Sequence, residues 1–204
     1  MPGAISGETM RLFCITAIAA CLCLPSLASA QEVSPDNAEM AALYAADQAA
    51  RANIDPTKYR ERAFVEQMNA DDAARRIQAR ALLDAGALQT GEDYRAAAFI
   101  FQHGSTPDDY LLAHSLAVTG AAKGSSGAAW IAAATLDRYL QSIDRKQIYG
   151  TQTRMVAGGE PTLEPYDRDL LPDALRTAVN VPPLSEQDRR LEQFKAARSA
   201  AARP

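Results

Sequence analysis

The sequence predicts a mostly α-helical fold: a compact bundle of αα-hairpins with a small irregular or β-hairpin insert after residue 150. Three observations predict it. Apolar residues recur at three- and four-residue spacing through a series of Ala-rich segments between Ser34 and Ile143. Cap residues and the glycines Gly86, Gly104 and Gly124 punctuate those segments, as helix starts and stops do. Past Gly150 the helical period is lost, and Gly158, Gly159, Pro161 and Pro165 mark turns.

Residues 1–30 read as a secretory signal peptide. Arg11 supplies the positive charge, Leu12 to Leu24 the apolar run, and Ala28-Ser29-Ala30 the small residues of a cleavage site after Ala30. The segment Ile18 to Cys21 also resembles a lipobox that would lipidate Cys21, but the apolar run continues past it to the better cleavage site. Cleavage after Ala30 removes Cys14, Cys21 and Cys23. The exported chain would then have no disulfide, thiol nucleophile or thiolate metal site, and a hydrophobic core must hold it. The expected location is periplasmic or secreted.

Residues 36–183 are expected to form one helical domain. Asp36 is the expected N-cap of a first helix carrying Met40, Leu43, Tyr44 and Asp47 on one stripe. Pro56 interrupts the pattern. A second helix is expected from an Asn69 cap to Gly86, with Asp71 and Asp72 at its positive end. A third starts at a Thr90/Asp93 capping box and ends at Gly104. A fourth starts at Thr106-Pro107 and stops at Gly124, and a fifth covers Ser125 to Ile143. The helix–Gly–helix rhythm from Tyr94 to Leu140 also fits one unit of a tetratricopeptide-type solenoid. Such arrays need about three units to be stable, so an αα-hairpin inside a bundle is the preferred reading. Residues 151–156 suit a short strand in a hairpin, and residues 170–179 a short helix. Residues 184–204 suit an amphipathic helix capped by Ser185, with a frayed tail.

Several polar residues fall on apolar stripes. His114 lies between Tyr110, Leu111, Ala117 and Val118, and His103 follows Phe99 and Ile100. Asp47 continues the first stripe, with Arg51 four residues on as an ion-pair partner. Asp137 shares a side with Trp130, Ala133 and Leu140. Asp137 and Arg138 are adjacent on a helix and point apart, so each needs its own partner. A buried carboxylate must be paired or hydrogen-bonded. The stretch RKQIYGTQ, Arg145 to Gln152, turns polar and, after Lys146, uncharged, beside Ala-rich helical segments. If it is extended, Gln147, Tyr149 and Thr151 share one face and Ile148 and Gln152 the other. These side chains suit either a neutral polar ligand or buried helix ends.

At these residues the chain resembles a family of uncharacterised bacterial helical proteins. Asp47, Gln48 and Arg51, then Gln102-His103, then Asp137-Arg138 and the Gln-Ile-Tyr-Gly-Thr-Gln element carry the resemblance, which spans Ala38 to Pro165. It implies that these positions belong together and brings no activity with it.

Composition and motifs exclude several chemistries. The net charge is −4, the isoelectric point is about 5.2 and 6% of residues are aromatic, which lacks the basic, stacking face of a nucleic-acid binder. The basic residues of the last helix alternate with Glu186, Asp188 and Glu192, as on a solvated face. The leader's apolar run is too short for a comfortable membrane span. The two histidines, with no HExxH and no exported Cys, make no zinc site. Walker, GxGxxG and GxSxG motifs are absent, and no cofactor is expected. The leading expectation is a non-catalytic exported module that binds a polar ligand or an envelope protein through Asp47, Gln48, Arg51, Arg138, Gln147, Tyr149, Thr151 and Gln152. One alternative is an envelope-acting hydrolase or lyase with His103 and Asp137 as its acid–base pair. The other is a purely structural helical domain.

Overall fold

Helical periodicity in an Ala-rich sequence produces helices that pack closely. A computed structural model describes residues 34–155 and 159–201; the expected leader with its three cysteines, Val156 of the expected strand, Gly158 and the expected frayed end 202–204 lie outside them. The described chain is mostly helical. It runs α1 (Ala38–Arg51), a 3-10 turn (Pro56–Arg60), α2 (Arg62–Asp84), α3 (Gly91–Phe101), α4 (Pro107–Ala122) and α5 (Ala128–Ser142). The hairpin strands β1 (Arg154–Met155) and β2 (Pro161–Thr162) follow, then α6 (Asp173–Ala178) and α7 (Leu184–Ala201). None of the described helices is long and apolar enough to cross a membrane.

Helix α4 packs most extensively against α3 and α5, with α1 and α2 laid against α3. The core between them is built from Met40, Leu43, Leu88, Ile100, Phe101, Leu116 and Ile131, with alanines at positions 79, 96, 97, 98, 113, 117 and 134. Small side chains let the backbones approach. A Cβ on Gly91 would stand 2.9 Å from the Gly120 carbonyl oxygen, so the start of α3 and the end of α4 meet through glycine.

The capping boxes at Thr90/Asp93 and Thr106/Asp109 form as expected, and Gly86 and Gly124 take the left-handed angles (φ 65° and 90°) that stop α2 and α4. Three helix starts differ from expectation. Asn37, not Asp36, caps α1 by accepting from the Met40 N–H, while Asp36 accepts from the Thr90 hydroxyl. Helix α2 begins at Arg62 rather than at Asn69, because the 3-10 turn that Pro56 and Asp55 initiate delivers the chain to Glu61 already extended. Asn69, Asp71 and Asp72 therefore sit within the helix, not at its positive end. Helix α7 begins at Leu184, and Ser185 lies inside its first turn while the Pro183 carbonyl accepts from Glu186 and Gln187.

The expected hairpin is present but short: β1 and β2 pair antiparallel, Arg154 opposite Thr162 and Met155 opposite Pro161. Residues 145–152 do not form the extended strand considered above. Gln147 makes one parallel bridge to Tyr166, and the chain beyond it curls around a side chain of α5.

Candidate functional site

The polar positions singled out in the sequence separate into two clusters, and the split begins at neighbouring residues. Asp137 and Arg138 leave α5 in different directions, as the helical turn requires.

Asp137 is fully buried and faces the 147–152 loop. Its Oδ1 accepts from the backbone N–H of Ile148 (2.8 Å) and Tyr149 (3.0 Å). Its Oδ2 accepts from the Thr151 N–H (2.9 Å) and hydroxyl (2.7 Å). Gln147, also fully buried, accepts from the Gln152 N–H at 2.9 Å and donates to the carbonyls of Gln152 and Leu163. Gln152 donates to the Ala134 carbonyl on α5 (3.2 Å) and to the Thr151 hydroxyl. The Tyr149 carbonyl accepts from Tyr166 and Gln187, both at 3.0 Å, which ties the loop to α7. Gly150 has φ 80°, and a Cβ there would lie 2.1 Å from Gln187 Oε1, so the turn admits only glycine. Behind it the fully buried Arg176 donates to the Tyr166 hydroxyl and to the carbonyls of Leu171 and Arg168. Gln147, Gln152, Thr151 and Asp137 are thus occupied with one another and with the backbone.

The second cluster is open to a cavity of about 430 Å³ whose walls include Arg51, Tyr59, Met68, Asn69, Asp72, Gln102, His103 and Arg138. Helical spacing assembles it. Asp47 and Arg51 lie one turn apart on α1 and pair at 2.8 Å, and Gln48 donates to the other Asp47 oxygen at 2.9 Å. Asp72 and Arg75, three apart on α2, pair at 2.5 Å, and Arg51 reaches across to Asp72 at 2.6 Å. Asp72 lies below the usual carboxylate range: burial opposes its charge, but the hydrogen bonds from Arg51 and Arg75 outweigh that. Asp47 lies above it, because its burial outweighs the pull of Arg51. The end of α3 brings His103 Nε2 to 3.7 Å from Asp47 Oδ2, and Arg76 fixes that turn by donating to the His103 carbonyl at 2.7 Å. Burial, followed by the nearby Arg51 guanidinium, lowers the His103 pKa to about 3, so the imidazole is neutral at physiological pH.

Arg138 completes the wall from α5. Among the described residues its guanidinium has no ion pair and no hydrogen bond, and its Nε is buried without a partner. Burial lowers its pKa from the ordinary arginine value; Tyr110 opposes this, and the neighbouring Arg51 adds to it by a lesser amount. A half-buried cation with every donor free is costly unless something supplies an acceptor.

The structure therefore brings Asp47, Gln48, Arg51, His103 and Arg138 together, and separately Asp137, Gln147, Tyr149, Thr151 and Gln152. Asp137 and His103 form no ion pair, because the Asp137 carboxylate is directed into the loop. The carboxylate beside His103 is Asp47. His114 turns inward, its Nδ1 2.9 Å from the Ala132 carbonyl. The sequence reasoning missed Asp72 and Arg75. Their i, i+3 spacing was the available signal, but it was masked by the assignment of Asp72 to a helix start. Nothing local in the sequence marks Arg176 or Tyr166 as buried.

A second hollow, of about 330 Å³, lies between α7 and the loop, with Trp130, Leu191 and Phe194 among its apolar walls. Gln187, buried on its wall, donates to the Tyr149 and Pro182 carbonyls, while its Oε1 is buried without a partner among the described residues. Among the described residues no group of three or more His, Cys, Asp or Glu side chains is placed to hold a metal ion. Protein-family models, curated proteins and solved structures yield no match to the chain, so the family resemblance rests on its motif residues alone.

Proposed function

We propose that this is a non-catalytic, exported module that binds a polar ligand bearing an anionic group, held in the cavity by Arg138. The export element of the reading rests on the leader at residues 1–30. The observation that carries the ligand reading is the unpartnered Arg138 guanidinium on the wall of a cavity large enough for a small organic molecule. The ion pairs of Arg51 and Arg75 hold the wall in place, and Asn69, Gln102 and Tyr59 present uncharged polar groups to the same space. On this reading the 147–152 loop is a brace, not a contact surface.

A hydrolase or lyase acting on an envelope polymer is the second reading. Asp47, buried behind His103 on the cavity wall, favours it. The depressed His103 pKa weighs against it, since an imidazole so hard to protonate is a weak base at neutral pH.

The test is thermal unfolding across a series of sodium salts of small organic anions and a matching series of neutral analogues. A ligand at a hundred times its Kd should stabilise the wild type by about 2.7 kcal/mol. Saturable stabilisation by anions, absent for neutral analogues and lost in Arg138→Met, is the expected result. Equal stabilisation of the wild type and the variant would remove Arg138 from the site.

A further inference from the structure

The charges around the cavity limit which anion fits. Three guanidiniums, those of Arg51, Arg75 and Arg138, stand against two carboxylates, those of Asp47 and Asp72. Asp72 is shared, with Oδ2 on Arg51 at 2.6 Å and Oδ1 on Arg75 at 2.5 Å. Arg51 also holds Asp47 at 2.8 Å, and Arg75 Nε lies 3.8 Å from the same Asp47 oxygen. Those four groups cancel internally, Arg76, which donates to the His103 carbonyl, is offset by the nearby ionised Asp109, and His103 adds no charge, which leaves one positive charge, at Arg138. Around it, Asn69, Gln102 and Tyr59 have no side-chain hydrogen bonds among the described residues, and all three line the cavity.

From this balance we infer that the cavity selects a singly charged carboxylate carrying neutral hydroxyl or amide groups, and discriminates against a doubly charged phosphate ester. The inference rests on the anion-binding reading above. A carboxylate matches the planar guanidinium fork and neutralises the site. A phosphate dianion would leave one negative charge over, in a half-desolvated space lined by Asp72 and backed by the buried Asp47, where like charges repel more strongly than in water. The amides of Asn69 and Gln102 both donate and accept, so they can meet hydroxyl or amide groups on the rest of the ligand.

Three compounds with one sugar ring separate the possibilities by titration calorimetry: glucose, D-glucuronate and glucose 6-phosphate. At pH 7.5 glucuronate carries one charge, whereas the phosphate ester, with a second pKa of about 6, carries nearly two. The expected result is glucuronate binding about tenfold or more tightly than glucose 6-phosphate, with glucose silent. At pH 5 the phosphate takes up a proton and the gap should narrow, and Arg138→Met should abolish binding throughout. If glucose 6-phosphate binds as tightly as glucuronate at pH 7.5, or the gap stays the same at pH 5, charge selection is overturned while the anion site stands. If neither anion binds, or both bind Arg138→Met as they bind the wild type, the anion site itself is overturned.

Discussion

Asp137 and Arg138 are one residue apart and in opposite electrostatic situations. Asp137 is buried with four hydrogen-bond donors on its two oxygens, and Arg138 has five donors and no acceptor among the described residues. Replacing the first should therefore cost stability. Asp137→Asn puts an NH₂ group where one oxygen accepted, against donors that cannot reorient. The expected loss is about 3 kcal/mol, read from urea denaturation. A loss under about 1 kcal/mol would show that the loop does not depend on that carboxylate.

His103 makes a residue-scale prediction about pH. Its folded pKa, about 3, is below the ordinary value of 6.5, so the unfolded chain binds more protons between those limits. The stability it contributes is present above about pH 6.5 and is lost as pH falls toward 3. Between pH 7 and pH 5 the loss should be about 2 kcal/mol. Asp47, held above the usual carboxylate range by burial, has the opposite sign, because its protonation favours the folded state. Comparing wild type with His103→Asn isolates the histidine: the slope between pH 7 and pH 5 should flatten in the variant. Parallel curves would mean that His103 is more solvated than its packing implies.

Among the elements, legibility followed how local the determinant was. The two capping boxes, the Gly86 and Gly124 stops and the hairpin after Gly150 are written in contiguous residues and were readable. The start of α2 was not, because Asn69, Asp71 and Asp72 look like a helix start and Pro56 looks like a break. The helix starts earlier, after Glu61, which makes no side-chain cap, following a 3-10 turn capped by Asp55, and the Asp72 carboxylate is taken by Arg51 of another helix. The 147–152 loop was singled out for its composition, but its role was not readable. Its folding depends on Asp137, Leu163 and Gln187, and only the tertiary fold brings those residues to it.

At the scale of the whole molecule, Arg176 and Arg138 stand on opposite footings. Arg176 is fully buried and satisfied by Tyr166, Leu171, Arg168 and Asp173, as a structural guanidinium should be. Arg138 is unsatisfied in the same fold. The close-packed alanine core and the Asp137 loop hold the frame, so Arg138 has no evident structural task. Natural proteins retain such destabilising groups where function uses them. The site was half legible in the sequence: its helical pairs could be found by spacing, but the absence of a partner for Arg138 is a property of the assembled fold.

Urea denaturation of Arg138→Met in ligand-free buffer tests this account most directly. Methionine keeps the apolar stem and removes the unpaired charge, so the variant should be at least as stable as the wild type, with a gain of up to about 1 kcal/mol. A loss of more than about 1 kcal/mol would mean that Arg138 braces the fold, and would contradict its assignment as a waiting anion site.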